Sequence, residues 1–172
     1  MIDVASVADG MHAGLVTGGV SHFVYLPDSV MGPLSSRAER DPSMMTIVCA
    51  REDEGVAIAA GLFIAHKRAV LTMEASGIGY SALVLARCAI QRTPVLIIAS
   101  HGALLGETFD YHGATIASSR GVVDGLHIDH LVLRPDDDHE EVVRLALETV
   151  HGQRTHFVIF VPPHVLAPRK AG

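Results

Sequence analysis

Six short apolar runs constrain the fold of this chain more than any other feature. They are too short for typical helices and rich in β-branched residues. Their polar and apolar positions do not alternate, so they indicate strands that are buried on both faces. The predicted strands are residues 22–26, 45–50, 69–74, 94–99, 130–134 and 156–161.

Helical stretches separate most of these strands, as in folds built from strand–helix–strand units. The predicted helices are residues 2–17, 30–37, the second half of 45–67, the segment from the turn at 75–77 to about 91, and 136–151. Asp3 is expected to cap the first helix and Asp136 to Asp138 the last. This order predicts one α/β domain over residues 1–172, with three layers. A six-stranded, mostly parallel sheet carries helices on both faces.

Residues 102–121 break this pattern, because they are polar and punctuated by glycine. We expect a long loop there, with room for one helical piece. Loops of that length inside a compact domain are usually functional. The sixth strand ends at Pro162-Pro163, and we expect the last residues of the chain to form a frayed tail.

Composition and charge argue against several classes of protein. The chain of 172 residues is 49% apolar and 19% charged, which is typical of a globular domain. Its net charge of −6 argues against nucleic acid as a partner, and no apolar run is long enough to span a membrane. Residues 1–3 lack the features of a signal peptide, and Cys49 and Cys88 lie in apolar contexts. We therefore expect a cytoplasmic protein with buried, reduced thiols.

The stretch from Met45 to Gly61 joins a strand directly to an acidic helix start. Its apolar run ends at an Arg-Glu-Asp-Glu turn (51–54) and continues into an alanine-rich helix. The helix dipole favours carboxylates in the first turn. Ligands of open α/β sheets bind outside the carboxyl ends of the strands. Glu52 stands at such an end and is therefore the foremost candidate site residue.

Other strand-to-helix turns should meet Glu52 at the same edge if the sheet is parallel. The loop after the fourth strand leaves from this edge as well. The residues concerned are Asp28, Ser29, Ser76, Gly77, His101, Gly102, Tyr111 and His112.

Ordinary capping also explains Asp, Ser and Gly at such turns. We favour that interpretation for Asp28 and Asp53, and a functional one for Glu52. For His101 and His112 a functional role and a role in loop structure stay open.

Familiar nucleotide and metal motifs are absent from the sequence. There is no GxGxxG after the first strand and no GxxxxGK[ST]. The turn Ser76-Gly77-Ile78-Gly79 is by itself a weak phosphate signal, because close packing of helix on strand explains it equally well. The eleven histidines show no HExxH or other paired-ligand spacing, so we expect no metal site.

Three segments taken together resemble the pyrimidine-binding half of thiamine-diphosphate-dependent decarboxylases. They are residues 26–29 (Leu-Pro-Asp-Ser), 51–61 and 75–81 (Ala-Ser-Gly-Ile-Gly-Tyr-Ser). Within this family the chain is most similar to the α subunit of sulfopyruvate decarboxylase and to the N-terminal part of phosphonopyruvate decarboxylase.

The resemblance implies a role for each candidate residue. In the family a glutamate hydrogen-bonds N1′ of the cofactor's aminopyrimidine, and a glycine follows it nine positions later. Gly61 has that spacing from Glu52, so the role falls on Glu52, with Glu54 as the alternative. Ser76 and Gly77 would lie near the cofactor. The remaining implied assignments are Ser29 and His101 to the substrate and His112 to proton transfer.

Two departures from the family pattern shape the prediction. Close relatives carry Arg-Gly after the fourth strand, where this chain has His101-Gly102. Without that arginine, the resemblance gives less support to a substrate with a sulfonate or phosphonate tail. The GDG motif and its distant Asn, which hold Mg²⁺ and the diphosphate, are missing. We therefore expect a separate diphosphate-binding β subunit that holds the Mg²⁺, with the active site between the chains.

These implications amount to one α subunit of a 2-oxo acid decarboxylase that uses thiamine diphosphate. The expected assembly is α2β2 or larger, with self-association of this chain. The alternatives are a non-catalytic binding or regulatory subunit of the same fold, and a flavodoxin-like small-ligand binder.

Overall fold

The computed structural model describes residues 4–102, 107 and 109–166, and within them six strands form one sheet. The strands are β1 (His22–Tyr25), β2 (Met45–Val48), β3 (Ala69–Glu74), β4 (Leu96–Ser100), β5 (Asp129–Val132) and β6 (Phe157–Val161). Their order across the sheet is β2-β1-β3-β4-β6-β5, and every neighbouring pair runs parallel. The predicted α/β fold with six parallel strands is confirmed.

Helices cover both faces of this sheet. They are α1 (Val4–Thr17), α2 (Gly32–Arg40), α3 (Glu52–Ile64), α4 (Ser76–Tyr80), α5 (Ala82–Gln91), α6 (His112–Gly125), α7 (His139–Gln153) and α8 (Pro163–Leu166). Helices α1, α2, α7 and α8 pack on one face, and α3 to α6 pack on the other. Neighbouring strand residues point to opposite faces, so Phe23 faces the first group and Val24 the second. The central strands β1, β3, β4 and β6 are largely buried on both faces and largely apolar. The edge strands β2 and β5 are half-buried or exposed along their length, so the prediction of burial on both faces is wrong for these two strands.

The strand order reverses between β1 and β3. The chain passes from β1 to β2 on one side, and from β3 to β4 on the other. Such a reversal opens a crevice at the carboxyl ends of the two strands, where open α/β sheets bind ligands. The turns that carry Asp28 and Ser76 border this crevice.

Helix α6 occupies much of the segment that the sequence predicts as a loop. Its glycines, serines and threonines have low helix propensity, so the local pattern does not indicate a helix. Packing stabilises it instead: Thr115, Ser119 and Val123 are buried, and a Cβ added at Gly79 of α4 would lie 2.8 Å from the Cβ of Ser118. The helical piece for which the prediction left room is therefore α6, which runs from residue 112 past the end of the predicted segment to Gly125, while residues 103–106 and 108 lie outside the described part.

The last described residues pack against the sheet, because Val165 and Leu166 of α8 are buried. The frayed tail predicted for the last residues of the chain falls on residues 167–172, which lie outside the described part. The predicted cap of α7 is confirmed, since the Asp138 side chain accepts a hydrogen bond from the backbone N–H of Glu141 at 3.1 Å. The cap predicted at Asp3 lies outside the described residues. None of the described helices is long and apolar enough to cross a lipid bilayer.

A buried histidine links the sheet to α5. The Nδ1 atom of His156 accepts from the backbone N–H of Val95 at 3.1 Å, and its Nε2 lies 3.2 Å from the carbonyl oxygen of Leu85. This pairing fits the neutral ring with its proton on Nε2, because Nδ1 must accept. Burial lowers the pKa of His156 below its ordinary value of 6.5.

Acidification should therefore destabilise the fold. Below about pH 6.5 the unfolded chain takes up a proton on His156 that the folded chain does not, so the free energy of unfolding falls as the pH falls. His22 and His151, whose pKa values burial also lowers, act in the same direction. In urea titrations from pH 7 to pH 5, His156→Gln should show a weaker pH dependence than the wild type. Each unit of pKa difference corresponds to about 1.4 kcal/mol.

The control for this measurement is His66→Asn, which removes an exposed histidine from a left-handed position that asparagine tolerates. It should keep the wild-type pH dependence. Equal slopes for His156→Gln and the wild type would show that the fold does not hold His156 in its neutral form.

Candidate active site

Glu52 is the first residue of α3, and its half-buried side chain lies directly on Gly77 of α4. A Cβ placed at Gly77 would come within 2.2 Å of the Glu52 Cγ and 2.8 Å of its Cβ. A second glycine, Gly55, brings α3 close to the sheet, because a Cβ there would lie 2.7 Å from Leu71 Cδ1. The glutamate therefore reaches the turn after β3 only because two positions lack side chains.

The three carboxylates of the α3 start have different surroundings. Asp53 accepts two hydrogen bonds from the Arg51 guanidinium, at 3.0 and 2.9 Å, and these hold the pKa of Asp53 below its usual value. Glu54 is exposed, and its Oε2 accepts from the backbone N–H of Ala50 at 2.9 Å. Within the described residues, the Glu52 carboxylate has neither a hydrogen bond nor an ion pair. Glu52 is thus the carboxylate left available to an external group.

Asp28 ties the end of β1 to the end of β4. Its Oδ1 accepts from the backbone N–H groups of Val30 and Met31, at 2.8 and 2.7 Å, and its Oδ2 accepts from the Ser100 hydroxyl at 2.9 Å. These contacts match the capping interpretation and add a link between strands. Ser29 follows on the exposed surface of the same turn.

The turn after β3 carries two further polar groups. Ser76, half-buried, begins α4 beside Gly77. Glu74, the last residue of β3, accepts a hydrogen bond from the Thr115 hydroxyl of α6 at 3.2 Å. Sequence reasoning treated Glu74 only as part of a strand. Its place at a strand's carboxyl end is the signal that could have added it to the candidates.

His101 and His112 converge on the carboxylate of Glu107. The Nδ1 of His101 lies 2.9 Å from Glu107 Oε2, and the Nδ1 of His112 lies 2.8 Å from Oε1. The two imidazole centroids are 4.0 Å apart, and all three side chains are at least 88% buried. Sequence reasoning selected both histidines but missed Glu107, because a glycine-punctuated loop shows no periodicity that would bring three of its residues together.

The segment around the histidines is held by several contacts. His101 has a backbone φ of 56°, in the left-handed region, directly after β4. Gly102 lies against the Phe160 ring, and its carbonyl oxygen accepts from Arg120 Nε at 3.2 Å. The Arg120 guanidinium lies 4.2 Å from the centroid of the same ring, and burial lowers the pKa of Arg120.

The predicted site residues therefore fall into groups along one edge of the sheet. Glu52 lies with Gly77 and next to Ser76, His101 lies with His112, and Ser29 stands apart on the surface. Two open cavities of about 520 and 790 Å³ are lined by other residues. The first of these cavities lies around Arg68 and Thr93, at the end of the sheet where β3 and β4 begin. The candidate site lies at the end where the strands finish, so cavity size does not mark it.

Comparison with known proteins gives a consistent result. No family model matches the chain. The sulfopyruvate decarboxylase subunit alpha of Methanothermobacter thermautotrophicus is 29% identical over 128 residues, which are 74% of this chain and 76% of that protein. The subunit of the same name from Methanococcus maripaludis is 19% identical over 144 residues, or 83% and 86% of the two chains.

A solved structure has the same fold. The 2-oxoglutarate:ferredoxin oxidoreductase of Magnetococcus marinus superposes with a TM-score of 0.73 over 93% of this chain, at 15% sequence identity. This chain spans 29% of that protein's chain. The chain is therefore similar to two sulfopyruvate decarboxylase α subunits, and it shares its fold with part of the 2-oxoglutarate:ferredoxin oxidoreductase chain.

Proposed function

We propose that this chain is the α subunit of a cytoplasmic, two-chain 2-oxo acid decarboxylase, a carbon–carbon lyase that uses thiamine diphosphate. The observation that carries the proposal is the Glu52 side chain, which rests on Gly77 at the carboxyl edge of the sheet with no hydrogen-bond partner among the described residues. The names of two relatives, both decarboxylase α subunits, support the same reaction class.

The residues around Glu52 fit the aminopyrimidine of the cofactor. An unpaired, half-buried carboxylate at a helix start suits a weakly basic ring nitrogen, with which it would share a proton. The missing side chain at Gly77 leaves the space that the Glu52 side chain fills, and this holds the carboxylate at the turn after β3. When bound, thiamine diphosphate supplies the electron sink for the carbanion that remains after carbon dioxide leaves a 2-oxo acid. The role of Glu52 is to hold a proton at N1′ of the pyrimidine, and Ser76 lines the same turn.

The histidines belong to the substrate end of the proposed site. Each turns its Nδ1 toward Glu107, which leaves its Nε2 for other partners. We assign proton transfer to His112, whose ring is buried at the start of α6. His101 and the exposed Ser29 are assigned to contacts with the substrate, a small 2-oxo acid.

The rest of the site would come from a second chain. This sequence lacks the motif that holds Mg²⁺ and the diphosphate, so both are assigned to a β subunit. Exposed apolar side chains on α3, α4 and α5 offer a surface for association: Ile64, Tyr80, Leu83 and Ile90 are each at least 65% exposed. Gly61 lies on the exposed side of α3 with open space around it, so its missing side chain serves no packing within this chain. Both features support an assembly such as α2β2.

Replacing Glu52 by Gln should reduce decarboxylation by about 100-fold or more, because the amide cannot share the proton. The assay mixes this chain with a candidate β subunit that carries the GDG motif, thiamine diphosphate, Mg²⁺ and a 2-oxo acid. Glu54→Gln is the matched variant and should retain most activity, since Glu54 is committed to the Ala50 amide. Full activity of Glu52→Gln would refute this mechanism and favour a non-catalytic role for the chain.

Gly77→Ala should impair the same reaction without removing any polar group. The added methyl group would overlap the Glu52 side chain, and displacement of a catalytic group by about 1 Å can cost 100-fold in rate. Gly121→Ala, in α6, is the control, because a Cβ there meets nothing within 4 Å. Equal activity of the two variants would mean that the position of Glu52 does not matter.

The isolated chain should show no decarboxylation with thiamine diphosphate and Mg²⁺, because it lacks a diphosphate site. Calorimetric titration of the cofactor should detect tight binding only to the mixture of the two chains. Turnover by this chain alone would refute the two-chain arrangement, and absence of binding to the mixture would favour an unrelated small-ligand binder.

A further inference from the structure

Three side chains direct metal-ligating atoms at one another beside the end of β4. They are His101 and His112, through Nδ1, and Glu107, through its carboxylate, and these atoms all lie within 4.8 Å of one another. The exposed fractions of the three side chains are 12%, 6% and 5%. The cluster is thus a closed polar pocket and not an exposed group of charges.

One atom of this cluster is close to its neighbour without a hydrogen bond. His112 Nδ1 is 2.8 Å from Glu107 Oε1, but the geometry of the ring does not allow a hydrogen bond between these two atoms. The same oxygen accepts from the backbone N–H of Phe109 at 3.1 Å. The Tyr111 and Phe109 rings lie 4.3 and 5.6 Å from the His112 ring. The Nδ1 atom of His112 is buried and makes no hydrogen bond within the described residues, although it lies at ion-pair distance from Glu107. Buried polar atoms normally have a partner.

We propose that His101, Glu107 and His112 bind one divalent first-row transition-metal ion such as Zn²⁺. Two imidazole nitrogens and one carboxylate are a common ligand set for such ions, and three protein ligands leave a position for water or another ligand. An ion between the three groups would give the lone pair of His112 Nδ1 a partner. The site is separate from that of Mg²⁺, which prefers oxygen ligands.

Contacts within the chain hold the two histidine ligands in place without an ion. His101 follows β4 directly, in a left-handed conformation next to Gly102, which Arg120 and Phe160 hold in place. His112 begins α6, which the Glu74–Thr115 hydrogen bond anchors to β3. Such preorganisation lowers the cost of assembling a metal site. Sequence spacing could not reveal this site, because the ligands are eleven residues apart with the third between them.

The inference does not depend on the proposed decarboxylase activity. A metal on the two Nδ1 atoms leaves each Nε2 outside the coordination shell, so the ion and the proposed role of His112 can coexist. Metal binding is measured on this chain alone, without cofactor or substrate, so its failure and the failure of the proposed function are distinguishable.

The test is a titration of the full chain, free of any affinity tag, with Co²⁺ and then Zn²⁺. One equivalent of Co²⁺ should bind and produce visible d–d absorption bands, which Zn²⁺ should abolish by displacement. His101→Asn and Glu107→Gln should each weaken Co²⁺ binding at least tenfold, because each removes a ligand. The matched control is His66→Asn, which replaces a histidine of the same left-handed conformation outside the cluster and should bind like the wild type.

A second measurement uses the wild-type chain, so it does not depend on the folding of a variant. With ¹⁵N-labelled histidine, one equivalent of Zn²⁺ should shift the Nδ1 resonances of two imidazoles and leave the other nine unchanged. The proposal is overturned if no stoichiometric Co²⁺ binding occurs. It is also overturned if His66→Asn weakens binding as much as His101→Asn, or if Zn²⁺ shifts other imidazoles.

Discussion

The contact between Glu52 and Gly77 sets the geometry of the whole candidate site. A carboxylate on the first turn of α3 can lie against the β3–α4 turn only if that turn carries no side chain at its point of contact. Gly55 contributes in the same way, because it lets α3 approach Leu71 of the sheet. The lack of a side chain at Gly55 and at Gly77 thus determines the position of the Glu52 carboxylate, and tight interior packing makes that position rigid.

The direction of the strands explains why so much chemistry collects at one edge. All neighbouring strands run parallel, so each turn that follows a strand opens on the same side. The reversal of strand order between β1 and β3 then separates two of these turns and leaves a crevice. The link between Asp28 and Ser100 joins the ends of β1 and β4, although β3 lies between them. Polar contacts therefore stabilise this edge, while the Glu52 carboxylate makes no hydrogen bond within the described residues.

The strands and the α7 cap could be predicted because their signals are local. Continuous apolar runs follow from burial on both faces, and Asp138 lies immediately before the helix that it caps. The position and length of helix α6 could not be predicted, because packing against α4 overrides its weak propensity. Glu107 was missed for a related reason: its proximity to two histidines depends on the path of the chain between β4 and α6. The choice of Glu52 over Glu54 came from the spacing to Gly61, and the hydrogen bond of Glu54 to Ala50 supports it independently.

The backbone of His101 has an energetic consequence. A residue with a Cβ in the left-handed region costs about 1 kcal/mol or more relative to its usual conformations, and glycine largely avoids that cost. Glycine would remove that cost, but it would also remove the imidazole whose Nδ1 lies 2.9 Å from the buried carboxylate of Glu107. The loss of a partner by a buried carboxylate costs about 1–3 kcal/mol, which is at least as much as the relief of the backbone. The left-handed turn after β4 is therefore maintained by a polar contact inside the protein, and selection for heat resistance alone should keep at position 101 a side chain that reaches Glu107.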